Sequence, residues 1–136
     1  MTEYLSAQVI IDINAGFGGY PLDRDGIEAA VYRPATSAFG QEAFPSLWVK
    51  AGVYVHSFSS TQYFSDGNKR TAWIAAVVFL DINGYQVRDN IADVEAEAFV
   101  LAVSRRLFDV EEDPDRTLKR AGEWFEVNAF PTSGAV

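Results

Sequence analysis

The chain has no cysteine, a single histidine and a single methionine. The missing thiols exclude disulfides, thiolate catalysis and cysteine-ligated zinc, and they suit a reducing compartment. Positive charge is also scarce: 11 Lys and Arg stand against 19 Asp and Glu, a formal net charge of -8. Long-range attraction to nucleic acid or to an anionic membrane is therefore unfavourable, and a basic or neutral protein partner fits better. No apolar run approaches the roughly 20 residues of a membrane span. The opening MTEYLSAQVIIDINAG lacks the basic start of a secretory signal, so a cytoplasmic protein is expected. Repeats, low-complexity blocks and sustained strand alternation are absent as well.

What remains is ample material for one core. In 136 residues, 49% are hydrophobic and 14% aromatic, enough for a single domain over about 1–130 with a flexible tail, PTSGAV, at 131–136. Helical periodicity dominates, which predicts an all-α, six-helix bundle. Ser6 caps a first helix carrying Val9, Ile10, Ile13 and Phe17, stopped by Gly18-Gly19. A second helix spans 25–32 and ends at Pro34; residues 35–45 read as an exposed loop, and 46–59 as a third helix. Residues 68–83 are apolar on nearly every side beyond their first turn, the mark of a central, buried helix, and Gly84 terminates it. A brief extended connection at 85–88 precedes a fifth helix, capped by Asp89 or Asn90 and running to about Phe108. Pro114 opens a sixth. Trp48, Tyr54, Phe58, Trp73 and Phe79 sit at helical spacing and belong to the core.

Chemistry concentrates at the start of the central helix. Phe64-Ser65-Asp66-Gly67-Asn68-Lys69-Arg70 is a polar turn feeding a helix N-terminus, where free N–H groups, a glycine and two cations would cradle a phosphate. Asp66 beside such a cradle makes sense as a ligand for a divalent cation that bridges carboxylate and phosphate. The same residues also read as an ordinary N-cap, Asp66 or Asn68, followed by solvated cations. Two cations in a first turn oppose the helix dipole and so want a compensating anion. His56 lies on the third helix between Val55 and Ser57, where a structural role fits better than catalysis.

The string Phe64-x-Asp66-Gly67-Asn68-Lys69-Arg70-Thr71-Ala72 resembles the Fic/Doc signature H-x-F-x-D-G-N-K-R-T-A. Residues 18–34, the AFGQEAFPSLWVKAG segment and FLDINGY at 79–85 also resemble the death-on-curing (Doc) branch, so the likeness covers most of 1–90. It implies a six-helix core in which Asp66 binds Mg²⁺ and Gly67, Asn68, Lys69 and Arg70 hold the phosphates of ATP. Adenylylating members resemble G-N-G-R-x-x-R; here Lys69 replaces the second glycine and Trp73 the second arginine, which favours the Doc branch. That branch implies transfer of the terminal phosphate to a hydroxyl of a translation factor such as elongation factor Tu, with the 35–45 loop as the flap that docks the target. The alternatives are an adenylyltransferase and a non-catalytic Fic-fold binding module. The signature's first position is Gln62, where the family carries its catalytic histidine. A carboxamide hydrogen-bonds but has no titratable lone pair near neutral pH, so a catalytically silent copy is expected, whether inactivated deliberately or degenerate by nature. No self-inhibitory [S/T]-x-x-x-E-[G/N] string occurs. Restraint is therefore expected from an antitoxin whose helical C-terminal segment fills a hydrophobic groove, with Trp48 or Trp124 as receiving surface.

Overall fold

The computed structural model describes residues 1–132. Among them are six helices: α1 (Ala7–Ala15), α2 (Arg24–Tyr32), α3 (Leu47–Ser60), α4 (Asn68–Ile82), α5 (Asp93–Ser104) and α6 (Arg116–Asn128). A 3-10 turn, Arg33–Ala35, prolongs α2. Two short antiparallel strand pairs complete the all-helical fold: a hairpin of β1 (Ser37–Ala38) with β2 (Gln41–Glu42), and a long-range pair of β3 (Tyr85–Val87) with β4 (Ala129–Pro131). No described helix is long and apolar enough to cross a membrane.

Local signals set most boundaries. The Ser6 and Ser46 side chains accept from the N–H of Val9 and Val49, each 3.2 Å away, so both helices start where a hydroxyl meets an orphan donor. The 35–45 segment is exposed, but it folds back as a two-residue hairpin because Phe39 and Gly40 both take positive φ, 54° and 77°, the combination such a turn requires. Pro131 pairs with Tyr85, and the Thr132 N–H donates to the Gly84 carbonyl at 2.8 Å. Pro131 and Thr132, expected to belong to a frayed tail, are therefore held in place, and the rest of that expectation, 133–136, lies outside the described residues.

The fifth helix departs from expectation at both ends. Asn90 is occupied by Arg88, whose guanidinium donates to its carbonyl and side chain at 3.3 and 3.0 Å, and α5 begins at Asp93 with no side-chain cap. It stops at Ser104, not Phe108, because Arg106 turns left-handed (φ 50°), with the N–H groups of Arg106 and Leu107 closing onto the carbonyls of Val103 and Ala102. That closure is usually made by glycine. α6 starts after Pro114, at Arg116, and its first turn is satisfied from a distance, the Asp109 carboxylate accepting from the Thr117 N–H at 2.9 Å.

Tyr54, Phe58, Phe64 and Phe79 are fully buried, each fixing roughly 1.5–3 kcal/mol of transfer free energy. α3 and α6 cross on two facing glycines: a Cβ on Gly52 would lie 2.9 Å from Ala121 Cβ, and one on Gly122 2.8 Å from Val49 Cγ2. α4 lies centrally, packed on α1, α3, α5 and β3. Ala72, Ala75, Ala76, Phe79 and Leu80 face the core, whereas Ile74, Val77 and Val78 are only half buried, because that face floors an open groove.

Candidate functional site

The groove lies between α4 and α5 and has a volume of about 1460 Å³. Its cationic end is the α3–α4 connection, whose path is held from three sides. The Tyr20 carbonyl accepts from Ser65 N–H at 3.0 Å, Tyr20 N–H donates to Ser65 Oγ at 3.0 Å, and Leu22 N–H donates to the Tyr63 carbonyl at 2.8 Å. From inside the loop, the Asn68 carboxamide clamps Phe64, Nδ2 donating to its carbonyl at 2.9 Å and Oδ1 accepting from its N–H at 3.1 Å. From below, buried Asn14 donates through Nδ2 to the Asp66 carbonyl at 2.7 Å and to Thr71 Oγ1 at 3.1 Å. A buried carboxamide bridging a loop and a helix rigidifies both, since loosening either would strand polar groups away from water.

Gly67 stands at the N-cap of α4 with φ 73°, and a Cβ there would also lie 3.0 Å from Phe17 Cβ. Both features favour glycine. No side chain caps this helix. Asp66 Oδ1 accepts from the Gly67 N–H at 2.8 Å, and the Asn68 side chain is committed to Phe64, so the first-turn amides of α4 stay free for an anion, as helix N-termini allow. The second oxygen of exposed Asp66 has no partner among the described residues. Among the described residues no cluster of three or more His, Asp or Glu could hold a metal. A cation at Asp66 fits only as Mg²⁺ commonly binds, with one or two carboxylates and substrate oxygens.

Gln62, Asp66, Gly67, Asn68, Lys69 and Arg70 all line this one groove. Gln62, Lys69 and Arg70 are exposed, and the Arg70 guanidinium lies 5.9 Å from the Phe17 ring centroid. Trp73 sits on the groove wall with its ring 5.9 Å from Phe99, 5.8 Å from Trp124 and 6.1 Å from Phe125. Trp124 is thus an aromatic-cluster residue, and Trp48 packs edge-on to Tyr85 at 4.7 Å. Neither lines this groove; Trp124 instead borders a separate cleft of about 390 Å³ between α5 and α6, with Phe99, Phe108 and Val127.

His56 lies outside the groove. Its Nδ1 is 2.9 Å from Arg33 Nη1, which also donates to Ser57 Oγ at 2.8 Å. A guanidinium only donates, so Nδ1 must accept and the ring is neutral. Burial, then the charges of Arg33 and Arg106, pull its pKa down to about 4. Since the unfolded chain takes up this proton near pH 6.5, stability is lost as pH falls from about 6.5 towards 4. A His56→Gln variant should show a shallower loss than the parent over that window when melting is followed against pH.

Two positioning residues carried no motif. Asn14 is a polar residue four positions after Ile10, on the buried face of α1. Lys50 is 1% exposed, and its Nζ donates to the Pro34 carbonyl at 3.1 Å, to Glu42 Oε1 at 2.8 Å and to the Phe44 carbonyl. One side chain of α3 thereby grips both feet of the β1–β2 hairpin.

Comparison with known proteins adds to this geometry. The chain is 39% identical over 114 residues, 82% of its own length and 88% of the relative's, to a protein described as Toxin Doc from Mycolicibacterium smegmatis (strain ATCC 700084 / mc(2)155). The sequence profile of the Fic/DOC family matches residues 4–80. That span runs from the segment ahead of α1 to the last buried turn of α4 and holds the whole of the pinned loop, and on it the chain belongs to the Fic/DOC family.

Proposed function

We propose that the chain is a Doc-type toxin, a protein kinase that moves a phosphate from ATP to a hydroxyl of a translation factor of the elongation factor Tu kind, held here in a catalytically silent form by Gln62. One observation carries the reading: the uncapped N-terminus of α4, Asp66, Lys69, Arg70 and Gln62 converge on a single groove. The first-turn amides, Lys69 and Arg70 hold the donor's phosphates, and Gly67 lets the backbone approach them. Mg²⁺, when bound at Asp66, neutralises charge on those phosphates. Gln62 meets the target hydroxyl, which it can orient but cannot deprotonate. Trp73 favours phosphate over AMP transfer, because the position where adenylylating members carry a second arginine is taken up by aromatic packing. Restraint comes from an antitoxin segment laid along the groove, whose apolar floor is offered by Ile74, Val77 and Val78.

The test uses the Gln62→His protein with elongation factor Tu and ATP labelled at either phosphate. Label on the factor from the γ position and none from the α position is expected. Label from the α position would make the chain an adenylyltransferase. Absence of both, in a Gln62→His protein shown to be folded, would favour a fold kept for protein binding alone.

A further inference from the structure

α6 turns its buried residues, Leu118, Ala121, Gly122 and Phe125, inward and packs on α3 and α5. On its outer side Arg116, Arg120, Glu123 and Val127 recur at helical spacing, so they form one stripe about 16 Å long. Arg116 is half-buried and the other three are exposed. The stripe is basic in its first half, acidic and then apolar in its second. Arg116, Arg120 and Glu123 make no ion pair or side-chain hydrogen bond among the described residues, whereas Lys119 beside them is taken by Asp113 at 3.0 Å. Arg120 and Glu123 stand one turn apart without pairing, the cation preceding the acid, which is the weaker order on a helix. Arg120 lies instead over Phe108, 4.9 Å from its ring centroid. The cleft between α5 and α6 runs alongside, its walls joining Arg120, Glu123 and Val127 to Phe99, Phe108 and Trp124. Val127 at one end is 77% exposed; at the other end Phe108 is 42% exposed and Leu107 61%, and the Phe108 N–H is tied to Thr117 Oγ1 at 2.9 Å.

We infer that this face docks a second copy of the chain about a two-fold axis, with the two α6 helices antiparallel. An axis at the level of Ala121 and Gly122 maps the position of Arg120 onto that of Glu123, and the position of Arg116 onto that of Val127. The whole stripe therefore meets its own image. Arg120 faces the second copy's Glu123, Glu123 faces its Arg120, and Val127 of each copy covers the Phe108 end of the other. A parallel pairing would set arginine against arginine and glutamate against glutamate. Antiparallel helix dipoles also attract, and an isologous contact closes at two copies. The net charge of -8 opposes the approach of two copies at long range, but at physiological salt that repulsion is screened beyond about 8 Å, while opposed side chains in contact are not. The groove beside Asp66 takes Asp93, Ala96, Glu97 and Val100 from α5, a different side of that helix from Phe99 and Val103 in the cleft. Each copy keeps its groove open, and the inference does not rest on the function proposed for that groove.

Sedimentation of the intact chain at physiological salt tests this, beside the variants Arg120→Glu and Glu123→Arg. A contact of one helix face and a cleft stands at the small end of stable interfaces, so the parent should pass from monomer to dimer at roughly 10–500 µM. Each variant alone sets two like-charge pairs across the axis and should weaken association by at least about tenfold. An equal mixture of the two should associate as the parent does, because each supplies the charge the other lacks, and that recovery shows both variants to be folded. A parent that stays monomeric to about 1 mM, a dimer indifferent to both substitutions, or a mixture that associates no better than its components would each overturn the inference.

Discussion

Replacing Gln62 by histidine is expected to raise phosphate transfer by roughly 10²–10⁴-fold, the usual contribution of a positioned general base, and to arrest growth where the Gln62 chain is expected not to. The remaining parts of the site are in place: Gly67 in its left-handed conformation, Asp66 with an unused oxygen, Lys69 and Arg70 exposed to the groove, and the loop braced by Asn14, Asn68 and Ser65. Imidazole has a pKa near 6.5, so near neutral pH it offers a lone pair that can take the proton of an attacking hydroxyl, which a carboxamide cannot. Gln62 is exposed, so the exchange should leave stability within about 0.5 kcal/mol, as surface substitutions usually do. Expression of both forms, with transfer rates measured on the purified proteins, separates the outcomes. A histidine form that transfers no faster and arrests growth no more than the glutamine form would contradict the reading of Gln62 as a lost base.

The second large effect is on stability. Lys50→Met keeps most of the side chain's volume but strands the carbonyls of Pro34 and Phe44, both paired to Nζ, and a buried acceptor left without a partner costs about 1–3 kcal/mol. With roughly 3 kcal/mol lost and about 4 °C per kcal/mol for a domain of this size, the melting midpoint should fall by roughly 10 °C. The loss should be felt first in the hairpin, so amides of residues 36–44 should exchange faster than those of α4. Glu42→Gln preserves an acceptor for Nζ at a half-exposed position and should cost far less. A Lys50→Met protein that melts with the parent would show that Lys50 does not anchor the hairpin.

The readable part of the fold is the part written locally. Ser6, Ser46, Gly18 and Gly84 announce helix ends from within a few residues, and α1 to α4 fall where those signals place them, within two or three residues. The ends of α5 and α6 are not written that way. Arg106 occupies a left-handed position with no glycine to mark it, and the first turn of α6 is satisfied by Asp109, eight residues before Thr117. The hairpin at 37–42 has strands of two residues each, too short for alternation to show. The candidate site was legible because Gln62, Asp66, Gly67, Asn68, Lys69 and Arg70 lie within one short stretch of chain. Asn14 was not, because its partner Asp66 is 52 residues away. Ile74, Val77 and Val78 read as core because periodicity reports that a face is apolar, not whether protein or an open groove lies against it.

The central claim, that the N-terminal end of α4 holds the donor's phosphates, is tested most directly by titrating the present Gln62 chain with ATP and Mg²⁺ in a calorimeter, beside its Asp66→Ala and Arg70→Ala variants. In the proposed function Gln62 serves the target hydroxyl and not the phosphates, so binding should survive in the parent. Each variant should weaken it by roughly 10–100-fold, the worth of a charge-assisted contact of about 1.5–3 kcal/mol. All three residues involved are exposed, so equal melting of the variants will show that folding is not at issue. No binding by the parent, or binding indifferent to both substitutions, would contradict the account.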